Sequence, residues 1–92
     1  MDINELIAIV KKKIESQVVT EEINIEDKSF LHKNHPGNQK DKFHLKIFIK
    51  SNELSKMSRI ESNKKIYKIL EEELKSKIHS LQLFQSQIYF MI

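Results

Sequence analysis

Apolar residues recur at helical spacing in two stretches of the chain and alternate in three others. Ile3, Leu6, Ile7, Val10 and Ile14 predict an amphipathic helix from near Asp2 to Gln17. Val18 to Glu26 alternates imperfectly, with Val19, Ile23 and Ile25 on one side, and predicts a strand. Phe43 to Lys50 alternates cleanly: Phe43, Leu45, Ile47 and Ile49 share one face, and His44, Lys46, Phe48 and Lys50 the other. Asn52 to Met57 predicts one short helical turn. Ser58-Arg59-Ile60-Glu61 has the form of a capping box, so a main helix should start there. Ile66, Leu70 and Leu74, with Ile69 and Ile78 beside them, give that helix one apolar face. Helical period stops at Ile78, and His79 to Leu83 alternates as a last strand.

The order is helix, strand, strand, short helix, helix, strand. The first two strands should pair antiparallel, and the helical crossover should return the third in parallel. This predicts an α+β fold in which helices cover one face of a three-stranded mixed sheet. Glu61 with Lys65, Glu71 with Lys75 and Glu73 with Lys77 have the favoured i,i+4 order for ion pairs along the main helix. Lys11-Lys12-Lys13 reads as a solvated helix face. Asp27 to Lys42 is the longest irregular stretch and holds His32, His35 and the Pro36-Gly37 turn. Long loops often carry function.

Ninety-two residues suit one domain spanning 1–92, with a modest core. The net charge of +3 is too weak to name nucleic acid as a partner. The excess is local: Lys56, Arg59, Lys64, Lys65 and Lys68 face only Glu61 within their stretch. Cys is absent, which removes disulfides and thiolate ligands of the chain's own. No apolar run approaches the roughly 20 residues that span a bilayer. The start Met-Asp-Ile-Asn-Glu is unlike the basic start of a signal peptide, so a cytoplasmic, soluble protein is expected. No nucleotide-binding loop or catalytic triad spacing is present, and Glu71-Glu72-Glu73 point about 100° apart on a helix, so enzymatic function has no support. The histidines are the notable ligand types. His79 falls at a helix-to-strand junction, which can hold a side chain rigidly at the surface. His44 shares the polar side of its strand, which suits a surface or hydrogen-bonded role better than ligation.

Several stretches together resemble the BolA family. They are Asp27-Lys28-Ser29-Phe30-Leu31-His32, then Lys42-Phe43-His44-Leu45-Lys46-Ile47, then Met57-Ser58-Arg59-Ile60, and finally Glu72-Glu73-Leu74 with Ile78-His79-Ser80-Leu81. The resemblance spans Asp27 to Leu83; residues 84–92 form a divergent apolar tail. It implies a class II KH-like domain that pairs with a monothiol glutaredoxin. It further implies a bridging two-iron two-sulfur (2Fe–2S) cluster, with thiolates from the glutaredoxin and from glutathione. On this side the implied metal ligands are His79 and His32 or, as the alternative, His35. Imidazole in place of thiolate raises a cluster's potential. Alone, the chain is expected as a monomer or weak homodimer.

The chain departs from the family in reading Ser62-Asn63-Lys64 where an Arg-His-Arg is common, and in its tail. BolA-like proteins are also regarded as transcription regulators, which gives the alternative of DNA binding through Lys56, Arg59, Lys64, Lys65 and Lys68. The Gly-x-x-Gly loop of KH modules is missing from Lys56 to Ile60, so close backbone approach is blocked there.

Overall fold

The computed structural model describes residues 2–29 and 42–85. Helix α1 (Ile3–Gln17) starts where Asp2 accepts the Glu5 N–H at 2.8 Å. Strands β1 (Glu22–Asp27) and β2 (Phe43–Lys50) follow, then α2 (Asn52–Ser55), α3 (Arg59–Ile69), α4 (Glu71–Ser76) and β3 (Ile78–Gln85). The sheet order is β1-β2-β3, with β1 antiparallel and β3 parallel to β2. The expected α+β arrangement of a mixed three-stranded sheet flanked by helices is therefore present.

The core fills the space between one sheet face and the helices. Leu45, Ile47 and Ile49 meet Leu6, Val10 and Ile14 of α1 and Ile66 of α3, all essentially inaccessible. The ladder sets these layers: Ile47 lies between Ile25 and Leu83. The neighbouring positions Lys46 and Phe48 belong to the other face, as a period of two requires.

Strand β1 begins later than its β-branched residues suggest. Val18 is buried at the end of α1 and Val19 is 68% exposed outside the strand. The Val19 backbone is captured instead: its N–H donates to Glu53 at 3.0 Å, and its carbonyl accepts from Ser51 at 2.7 Å. That N–H, then Lys65 at 3.4 Å, holds the Glu53 carboxyl below the usual carboxylate range. Ser51 also caps α2 by accepting the Leu54 N–H.

The main helix is broken rather than continuous. Leu70 leaves helical geometry, with φ −98° and ψ 15°, and separates α3 from α4. In an unbroken helix, positions four apart drift about 40° per step. Ser62, Ile66, Leu70 and Leu74 would then rotate away from the sheet. The joint resets the phase, so Leu70 is fully buried and Leu74 still packs on the core. It also aims Glu73 across to Lys13 of α1 at 2.7 Å, with Glu72 on the same ammonium at 3.3 Å. Lys13 is thus an inter-helix tie, not simply part of a solvated face; Glu73 raises its pKa above the usual lysine value.

The capping box forms as expected. Ser58 accepts the Glu61 N–H and Glu61 accepts the Ser58 N–H, both at 3.1 Å. Ser58→Ala should lower stability by about 1 kcal/mol. Urea unfolding followed by circular dichroism checks this, and an unmoved midpoint would mean that the cap is idle.

Candidate functional site

Two groups of side chains stand out, one at the start of the parallel ladder and one around α3. The first arises from an irregularity in register. Phe43 is opposite Ile78, but His44 is opposite Ser80. His79 is therefore the extra residue of a bulge, a feature that re-aims a side chain. Its ring is exposed and lies 5.0 Å, centroid to centroid, from that of His44, the two planes crossing at 68°. His44 is only 5% exposed, and its Nδ1 is 2.7 Å from Ser80 Oγ. The backbone fixes it further: its N–H donates to Ser29 Oγ at 3.1 Å, and its carbonyl accepts from Lys28 at 2.7 Å.

His44 is thus hydrogen-bonded, as its place on the strand suggests, but it is also the imidazole beside His79. Spacing along the chain hid this: only the parallel register brings the opening residues of β2 and β3 together. His32 and His35 lie outside the described residues. The two imidazoles pack edge to face at the start of the ladder. Ser80 would serve as the outer hydrogen-bond partner that fixes a ligating ring. Among the described residues, no group of three or more His, Cys, Asp or Glu could hold a metal unaided.

The second group wraps the first half of α3. Arg59 and Asn63 line a groove of about 220 Å³ whose other wall is Leu83, Phe84 and Gln85 of edge strand β3. The Gln85 amide fastens the two walls, donating to Ser62 Oγ at 2.9 Å and to Asn63 Oδ1 at 2.8 Å. Lys65 and Lys68 lie on the opposite flank, with Gln17 and Ile69 around a second depression. Lys56 lies at the α2–α3 corner and is exposed, as is Lys64. The five basic residues therefore surround α3 instead of forming one plane. Lys64 and Lys68 share the outer face with Ile60, 68% exposed, and Tyr67, 45% exposed, at i, i+4, i+7 and i+8 spacing.

This α+β fold thus sets a buried and an exposed histidine in ring contact at one end of the sheet and a basic helix beside its edge strand. A family model described as a BolA-like protein matches residues 14–87. The "DNA-binding transcriptional regulator BolA" of Haemophilus influenzae is 31% identical over 75 residues, 82% of this chain and 70% of that protein. The fold is also similar to solved structures. The BolA domain of SufE1 from Arabidopsis thaliana has a TM-score of 0.74 at 24% identity, covering 94% of this chain and 93% of that one. BolA1 from Arabidopsis thaliana has a TM-score of 0.72 at 24% identity, covering 86% and 87%. The chain belongs to the BolA family, whose members are non-catalytic adaptors or regulators. No helix among the described residues is long and apolar enough to cross a membrane.

Proposed function

We propose that this protein is a DNA-binding regulator that uses the class II KH-like order of its elements and the basic surroundings of α3. The observation carrying this reading is the Arg59 groove, which opens between α3 and an edge strand and brings a guanidinium beside the amides of Asn63 and Gln85. The similarity to the DNA-binding Haemophilus regulator supports it. Cations at Lys56, Arg59, Lys64 and Lys68 would neutralise phosphates and release counterions, so affinity should fall linearly in log–log form as salt rises. Fluorescence anisotropy with a labelled duplex tests this over a salt series. Absence of binding even at low ionic strength overturns it.

The His44–His79 pair favours a second reading, an adaptor for iron–sulfur trafficking or sensing. In it the chain docks on a monothiol glutaredoxin and supplies imidazoles to a shared 2Fe–2S cluster, while glutaredoxin and glutathione supply thiolates. Such imidazole ligands would raise the cluster's potential. His79 is the first residue expected to ligate. The second ligand is then His44 or one of the loop residues His32 and His35. The ring contact at 5.0 Å supports His44.

Anaerobic reconstitution with a monothiol glutaredoxin and glutathione should give absorption and circular dichroism distinct from glutaredoxin alone. His79→Ala should abolish the difference, and His44→Gln should alter it. An unchanged spectrum in a demonstrated complex would sink the cluster reading.

A further inference from the structure

We propose that the sheet face beside the Arg59 groove binds single-stranded DNA, with bases stacked on Phe84 and Phe48. This rests on the DNA reading above and deepens it by naming the form of DNA. Phe48 and Phe84 are direct partners in the parallel ladder, so their side chains leave the sheet at neighbouring positions on the face away from α1 and α3. Phe84 is 47% exposed and Phe48 is partly buried. Large aromatics at the surface of a central and an edge strand cost solvation unless something covers them.

The charges beside the pair indicate what the cover is. Lys46 Nζ sits 5.0 Å from the Phe84 ring centroid. Its neighbour across β1 in the register, Glu26, is engaged by Lys28 at 3.2 Å. Lys50 follows Lys46 and Phe48 on the same face. The acids of this face, Glu22 and Glu26, are confined to β1, whereas β3 contains none. Phe84 also belongs to the wall of the groove that holds Arg59 and Asn63. A strand's phosphates can therefore run from Arg59 towards Lys46 while its bases turn onto the rings. Single strands are recognised by this combination of cations and stacking platforms; a duplex keeps its base faces inside and cannot use the platform.

The test is anisotropy with a labelled oligothymidylate of about twelve nucleotides, beside a duplex of equal length. The wild-type chain should prefer the single strand. Phe84→Ala should weaken single-strand binding on the order of tenfold or more and duplex binding far less, while Phe84→Trp should preserve both. Lys46→Gln should reduce the single-strand salt slope by roughly 0.7.

Equal duplex and single-strand affinities, unaffected by Phe84→Ala, would overturn this proposal and leave the DNA reading standing. Absence of binding to either at low salt would remove both. Loss of thermal stability in Phe84→Ala with unchanged single-strand affinity would assign the rings to packing by another segment or copy, and would also overturn the proposal.

Discussion

Ile47→Ala should destabilise the protein by about 3 kcal/mol, within a usual range of roughly 2–5 for such truncations. Ile47 is fully buried on the central strand, with Ile25 on one side, Leu83 on the other and the helices above. No neighbouring element can collapse into the gap without disturbing a ladder on both sides. A chain of 92 residues typically has only some 5–14 kcal/mol of stability in total. The loss should appear as a fall of roughly 12–24 °C in the thermal midpoint. Ile47→Val, which removes one methylene, should cost about 1 kcal/mol. Chemical and thermal unfolding by circular dichroism measure both. A loss below 1 kcal/mol for the Ala variant would mean that this position is not the centre of the core.

The contrast between β2 and the main helix shows what sequence patterning carries. Strand β2 was legible because its alternation continues without interruption from Phe43 to Lys50, and period two admits only one assignment of faces. The break at Leu70 was not legible, since Ile66, Leu70 and Leu74 fit a continuous helix equally well. Only the phase drift against a fixed sheet forces the joint. Past the joint Glu73 meets Lys13, 60 positions away along the chain, and before it Lys65 meets Glu53 of α2. Local i,i+4 spacing offers no view of such partners. Val19 misled for a related reason. Its side chain favours a strand, but its backbone is taken by Ser51 and Glu53.

The histidines follow that division. The position of His79 at a helix-to-strand junction was readable, since the change of period marks it. Its partnership with His44 depends on a one-residue bulge between β2 and β3, which no linear spacing encodes. A bulge at the first rungs of a parallel ladder turns His79 out of the alternation and beside His44. In the adaptor reading, ligand geometry is therefore a consequence of strand register: shifting the register would separate the rings even with both histidines retained. That makes the first rungs of the ladder part of the site as much as the imidazoles are.

Replacing Lys56, Arg59, Lys64 and Lys68 together with Gln should have the largest effect on duplex DNA. If each neutralises one phosphate, the log–log slope of affinity against salt should fall by up to roughly 3.6, about 0.9 for each phosphate no longer neutralised. Lys65 is kept because it pairs with Glu53, which in turn holds the Val19 N–H, so its removal would mix binding with structure. The four chosen residues lie outside the buried core, and their replacement should leave the unfolding midpoint nearly unchanged. An unchanged slope would mean that α3 does not meet phosphate, whatever the net charge of the chain. Of the remaining cations, Lys46 and Lys50 belong to the sheet face with Phe48 and Phe84. Residual binding by the quadruple variant should therefore favour single strands over duplex. Helix cations respond to phosphate density in either form of DNA, whereas the sheet face requires accessible bases. The salt slope thus reports on the cations around α3, and the single-strand preference on the sheet face that adjoins them at Arg59.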